Sequence, residues 1–289
     1  MLVADGLTKS YRGQTVASGV NIRLEGGRVV GLVGANGAGK TTTIKMLAGL
    51  LEPTSGTARI DGRPTLEAAA RRQIGYLPEE SPLYDDLHAT AYLSFFGSLY
   101  DLPRAEIRER TESLLTRLGL EDRDRKRPLG TLSKGMRRKV AIARCLLHEP
   151  AVVLLDEPTS GLDPLTSAEL GEFVRELRAN GKAVLLSAHN LPQVEELCDE
   201  ILIMHLGRIV DRGTLAELRG RIGTQRYRVR ATVAFPGSEL KGTVHEAWLQ
   251  ALSQVEAALE VVRREKGIVL EVESVPPRLE EILRRASAT

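Results

Sequence analysis

The segment that most restricts what this chain can fold into is Gly34-Ala-Asn-Gly-Ala-Gly-Lys-Thr41. It follows an apolar run, Val29, Val30, Leu32 and Val33, and opens a stretch of helical character over residues 40–48 that Gly49 closes. An unbroken apolar run of that length suits a strand buried on both faces, as in parallel sheets covered by helices. Similar runs recur at 151–155, 183–187 and 201–205, with helical segments between them. The alternation predicts an α/β fold with a mainly parallel sheet.

A glycine-rich turn between such a strand and a helix has a chemical use. Backbone N–H groups that converge on anionic oxygens need turns that glycine makes at little cost. The start of the helix adds unpaired N–H groups and the positive end of its dipole. The residues Gly34, Ala35, Asn36, Gly37, Ala38, Gly39, Lys40, Thr41 and Thr42 therefore form a candidate phosphate cradle, the P-loop pattern. Lys40 reaches the β- and γ-phosphates of a nucleotide, and the Thr41 hydroxyl is a ligand for Mg²⁺. A glycine-rich turn that merely starts a helix well is the plain alternative; the strand-turn-helix context argues against it.

The second half of such a site is a carboxylate at the carboxyl end of a buried strand. Val152-Val-Leu-Leu-Asp156-Glu157 supplies two. Asp156 is placed to hold Mg²⁺, through water. Glu157 is placed to orient an attacking water or accept its proton. Taken alone, Asp-Glu before Pro158 reads equally well as a polar turn.

The 289 residues suffice for one large domain and a small one. Residues 2–25 read as short β segments with turn glycines at Gly6, Gly13 and Gly19, an antiparallel subdomain beside the parallel core. Residues 82–149 show no strand pattern and read as a helical insertion with helices at 89–100, 105–118 and 134–148. Domain 1–220 thus precedes an accessory α+β unit, 221–289. In that tail, Tyr227 to Phe235 alternate as a half-buried strand, and Val244, Trp248, Leu252 and Val255 share one face of an expected helix. Ile268, Leu270 and Val272 suggest another strand, and 279–285 a last helix.

The formal charge of +2 gives no argument for a nucleic-acid partner. The apolar runs fall far short of the roughly 20 residues that cross a bilayer, and residues 1–11 carry no leader pattern. Cys145 and Cys198 have no metal or redox spacing and read as core residues in a reducing compartment.

Leu132-Ser-Lys-Gly-Met-Arg137 lies before the carboxylate strand, and Ser160-Gly-Leu-Asp163 and His189 follow it. In order and composition this set resembles the ATP-binding-cassette (ABC) ATPases over roughly residues 1–215. Ser133 is a natural N-cap and Gly135 permits close backbone approach, so this is a second anion-competent helix start. Asp163 before Pro164 is another cap. The resemblance implies that Ser133, Gly135 and Asp163 act across a head-to-tail dimer, that His189 contacts the γ-phosphate, and that Tyr11 stacks on adenine. It also implies that Glu79, where most of the family has glutamine, is a metal ligand. Glu79, Lys134 and Met136 are variants similar to those of ATPase subunits of bacterial exporters for drugs, antibiotics or sodium.

The expected activity is Mg²⁺-dependent ATP hydrolysis. The expected partners are a second cassette, as a homodimer, and a separate transmembrane permease at the cytoplasmic face of the membrane. The helical insertion, with Leu83, Tyr84, Tyr92, Phe95 and Phe96, is where similar proteins touch that partner, although several of these residues belong to the core. The alternatives are a soluble ABC ATPase acting on ribosomes and a regulatory nucleotide-binding module. The sequence contains no Asn-Lys-x-Asp motif of the kind that reads guanine. His88, His148, His205 and His245 match no motif and read as structural.

Overall fold

The computed structural model describes residues 1–188, 190–222, 226–275 and 279–286. The chain divides into two compact units, Met1–Thr214 and Leu215–Thr289.

The first unit is built on a six-stranded sheet in the order β10-β9-β3-β8-β7-β6. Its strands are β3 (Val29–Val33), β6 (Ile74–Leu77), β7 (Val152–Asp156), β8 (Ala183–Ala188), β9 (Glu200–His205) and β10 (Arg208–Gly213). All neighbours run parallel except β10, which pairs antiparallel with β9 at the edge. Every residue of β3, β7 and β8 is buried. Each buried Val or Leu contributes about 1.5–3 kcal/mol over an exposed one, so these strands take the positions covered on both faces.

A second sheet, β2-β1-β4-β5, is antiparallel throughout. It comprises β1 (Leu2–Tyr11), β2 (Gln14–Leu24), β4 (Ser55–Ile60) and β5 (Arg63–Pro64). The expected short segments at the N-terminus are in fact two long strands. Only Gly13 lies in a turn. Gly6 and Gly19 sit inside the strands at register shifts of the β1–β2 ladder, with φ of 61° and 62°. There the bulges put Leu7 and Val20 opposite each other and fully buried. Helix α1 (Lys40–Leu47) contributes Ile44, Met46 and Leu47 to one core with Leu2, Leu24 and Ile60 of this sheet and Leu32, Leu154 and Leu202 of the parallel sheet. Packing from both sheets holds the second half of α1, and Ala38 of the glycine-rich loop joins the same core.

Five helices follow the two sheets' first strands: α2 (Ala68–Arg71), α3 (Ala89–Leu99), α4 (Arg104–Arg117), α5 (Asp122–Arg125) and α6 (Lys134–Leu146). Then α7 (Pro164–Ala179) and α8 (Leu191–Leu197) cover the parallel sheet. Of the apolar residues expected to meet a membrane partner, Leu83 and Tyr92 are core, whereas Tyr84 and Phe95 are 53% and 45% exposed. Tyr92 is held by a 2.7 Å hydrogen bond from Arg144.

The second unit contains α9 (Leu215–Ile222) and a four-stranded antiparallel sheet, β12-β13-β11-β14. Its strands are β11 (Arg226–Ala231), β12 (Glu239–Lys241), β13 (Val244–Leu249) and β14 (Val269–Val275); α10 (Leu252–Arg264) and α11 (Leu279–Ala286) complete it. Two expectations are corrected here. The alternating strand ends at Ala231 rather than Phe235, although Phe235 still joins the core. Val244 and Trp248 lie on strand β13, not on the helix with Leu252 and Val255. The ladder to β11 pairs Trp248 with Arg228, and Ala247 and Leu249 supply the buried face. Trp248 is 49% exposed, with Arg228 over its ring.

Candidate nucleotide site

The loop after β3 closes on itself before α1 begins. The Ala38 amide donates to the Ala35 carbonyl at 3.1 Å. Gly39, the residue before α1, has φ of 102°, and a β-carbon there would stand 2.4 Å from the Val16 carbonyl oxygen. Both its conformation and its surroundings therefore exclude a side chain. The first N–H groups of α1 receive no side-chain cap, so they remain the natural seat of an anion. Lys40 is buried and folds back over the loop, donating to the Gly34 carbonyl at 2.8 Å.

One cleft of about 540 Å³ gathers Asn36 to Thr42 with Val16, Glu79, Glu157 and Ser160. Asn36 to Thr42, Glu79 and Glu157, assigned from the sequence, thus meet in space, whereas Gly34 and Ala35 do not line the cleft and accept from Lys40 through their carbonyls. Glu157 is 7% exposed, and its Oε1 lies 3.7 Å from Lys40 Nζ. Its φ of 47° is rare for a non-glycine residue. A bond from its amide to Ser187 Oγ at 3.0 Å holds that conformation.

Asp156 lies at the end of β7, fully buried and not itself lining the cleft. Ser187, its ladder partner on β8, donates a 2.6 Å hydrogen bond to Oδ1. Asp156 Oδ2 is buried with no hydrogen-bond partner. An unsatisfied buried oxygen of this kind costs about 1–3 kcal/mol or more. The Thr41 hydroxyl and Glu79 carboxylate of the cleft, together with a carboxylate oxygen left without a partner at the end of β7, are oxygen donors of the kind that suit a hard cation such as Mg²⁺. The residues present therefore fit the metal that the sequence implies.

Two residues that sequence reasoning passed over complete the site. Ser187 is the polar residue in an otherwise apolar, wholly buried strand, and setting β7 against β8 would have pointed to it. Arg138 on α6 is 8% exposed and donates to the carbonyls of Pro78, Glu79, Asp156, Glu157 and Pro158. Its neighbours in the sequence carry no sign of this role.

Ser133, Gly135 and Asp163 are not brought to the cleft. Ser133 caps α6 by accepting from the Met136 amide at 3.2 Å, and Asp163 caps α7 by accepting from the Thr166 amide at 3.0 Å. Asp163 and Thr166 also share a 2.7 Å side-chain bond, and these bonds hold the Asp163 carboxyl below its ordinary pKa. A β-carbon on Gly135 would lie 3.2 Å from the Thr166 side chain, so the two helix starts are neighbours. Tyr11 ends β1, 48% exposed and outside the cleft, with Lys9 Nζ 5.3 Å from its ring centre. His189 lies outside the described residues. Cys145 and Cys198 are free thiols that burial pushes up to about 12, as inert residues should be.

The ABC transporter family model matches residues 17–160. The chain is 45% identical over 202 residues to the ABC transporter ATP-binding protein NatA of Bacillus subtilis, covering 69% of this chain and 82% of that protein. It is 40% identical over 220 residues to the Nod factor export ATP-binding protein I of Ralstonia nicotianae, covering 75% and 68%. Among solved structures, a dimeric, post-hydrolysis ATP-binding cassette bound to ADP and Pi superposes with a TM-score of 0.69 at 26% identity, covering 74% of this chain and 99% of that one. A P-loop cleft that contains a buried carboxylate, together with these likenesses, places the chain in the family of ABC transporter ATP-binding proteins, as an ATPase.

Proposed function

We propose that this chain drives a membrane exporter as one of two identical cassettes that close head to tail on ATP at the cytoplasmic face of the membrane. The observation that carries this reading is the division of the anion-binding equipment. One helix start, at α1, sits in the cleft with Glu79 and Glu157. The other, at α6, stands outside it with Asp163 nearby. A second copy turned head to tail offers its α6 start to the phosphates held by the first. The dimeric form of the superposed cassette supports pairing of two cassettes.

Within each site, Lys40 and the amides of the loop bind the β- and γ-phosphates. Thr41, Glu79 and, through water, Asp156 would hold Mg²⁺, which when bound neutralises phosphate charge. Glu157 accepts a proton from the water that attacks the γ-phosphorus, while the bond to the bridging oxygen breaks and leaves ADP and Pi. His189 and Tyr11 keep the roles that the resemblance implies, at the γ-phosphate and the adenine. No helix among the described residues is long and apolar enough to cross a membrane. The reading assigns the transport path to a separate permease partner. The exposed rings of Tyr84 and Phe95 are the surface proposed to meet it. Export as the direction draws on the variant residues Glu79, Lys134 and Met136 and on the export protein among the relatives.

Glu157→Gln tests the reading. ATP binding should persist, hydrolysis should slow by about 10²–10⁴-fold, and the variant should accumulate as an ATP-bound dimer in light scattering. A slowed variant that stays monomeric at saturating ATP and high protein concentration would overturn the head-to-tail dimer.

A further inference from the structure

The side chain of Arg138 joins three parts of the ATPase that the sequence keeps apart. Arg138 lies five residues after the Ser133 cap, on the second turn of α6. Its Nη1 donates to the carbonyls of Pro78 at 2.7 Å and Glu79 at 2.9 Å, with Ser81 Oγ at 3.4 Å. Its Nη2 donates to the carbonyls of Asp156 at 3.1 Å and Glu157 at 2.9 Å, and its Nε to that of Pro158 at 2.9 Å. One edge of the guanidinium thus holds the loop that carries Glu79, and the other holds the turn that carries Asp156 and Glu157.

These partners are chiefly backbone carbonyls, and the group is buried. Burial lowers its pKa to about 10, so it stays charged at neutral pH. A buried cation that spends its donors on backbone carbonyls from two segments contributes little as an ion pair. It fixes backbone positions instead, and the flat fork of arginine is suited to that task. Lysine in its place has three donors on a single atom and cannot span both edges.

We propose that Arg138 is a positioning residue for ATP hydrolysis, which sets the Glu79 loop and the Glu157 turn in register with each other and with the start of α6. Movement of either loop then reaches the other through one rigid group. The reacting groups keep their distances only while that group is in place, and an error of about 1 Å in such placement can cost 10²-fold in rate. The inference rests on the roles given above to Glu157 and Glu79, and needs neither export nor a particular transported molecule.

The test compares Arg138→Gln and Arg138→Lys in the full chain with Val140→Ala, which removes buried volume from the same helix without touching the guanidinium contacts. Thermal melting, ATP titration, kcat, KM and hydrogen exchange are measured on each. Both Arg138 variants should hold ATP within about threefold of the parent while kcat falls about 10- to 100-fold. Amides of residues 79–83 and 157–160 should exchange faster together. Val140→Ala should melt earlier yet keep its kcat. If Arg138→Gln does not fold, Arg138→Lys, which keeps the charge, carries the test. Full kcat in Arg138→Lys, faster exchange in only one segment, or a loss of rate that merely follows the folded fraction would overturn the inference. Slow hydrolysis by Glu157→Gln beside a normal Arg138→Lys would leave the site assignment standing and remove only this role.

Discussion

Ser187 and Asp156 are paired across the β7–β8 ladder, and the Ser187 hydroxyl spends its proton on Asp156 Oδ1 at 2.6 Å. The same hydroxyl oxygen accepts the Glu157 amide at 3.0 Å. One side chain therefore orients the carboxylate assigned to the metal and the backbone of the residue assigned to water.

Ser187→Ala should leave ATP affinity near the parent value and lower kcat about tenfold or more, with a loss of stability of about 1–3 kcal/mol from the stranded carboxylate oxygen. Titration calorimetry, denaturant melts and steady-state kinetics check this. An unchanged kcat would mean that the β7 end is held without Ser187.

Lys40→Ala should abolish tight ATP binding, because it removes the cation that answers the β- and γ-phosphates. Isothermal titration with ATP and Mg²⁺ measures this directly. Affinity near that of the parent would contradict the assignment of the loop.

Mixing a Lys40→Ala chain with a Gly135→Asp chain should recover ATPase activity beyond the sum of the two alone, since each supplies the half-site that the other lacks. The aspartate repels the γ-phosphate from the α6 start, but it also crowds Thr166. Gly135→Ala mixed in the same way separates charge from crowding. Heterodimers shown to form by mass yet inactive would argue against shared sites, provided that one intact site turns over.

His148 should make stability depend on pH. Its Nε2 lies 3.2 Å from the Ile74 carbonyl and its ring stacks on Tyr100 at 3.9 Å. Burial, aided by the charges of Arg110 and Lys182, pushes its pKa down to about 4. The unfolded chain takes up this proton near pH 6.5, whereas the folded one resists until about pH 4. The contribution is full above pH 6.5 and is lost as pH falls toward 4, up to about 3 kcal/mol. His148→Gln should flatten the fall of melting temperature across that window. An unchanged profile would place the ring in a protonatable setting.

A chain ending at Thr214, where the compact units divide, should bind ATP as the full chain does, because each residue given a role in ATP chemistry lies between Tyr11 and His189. Dimer stability or coupling to the permease should change instead. A truncated chain that melts cooperatively but fails to bind ATP would tie the second unit to the nucleotide site.

What the sequence alone determined about this protein was local chemistry with a short reach. The glycine-rich loop between a buried strand and a helix, the carboxylates at the end of β7 and the caps Ser133 and Asp163 are each written in a few adjacent residues. Backbone propensity and hydrogen bonds three residues apart suffice to realise them. Tertiary structure decided what depends on register and approach. Ser187 meets Asp156 across 31 positions, and Arg138 reaches Pro78 across 60. Trp248 went to a strand because pairing with Arg228 and the burial of Ala247 and Leu249 outweighed a helical spacing carried by only a few side chains. Local pattern records which side chains one element can bury, whereas the partner of a buried polar atom is set only when two distant elements come into register.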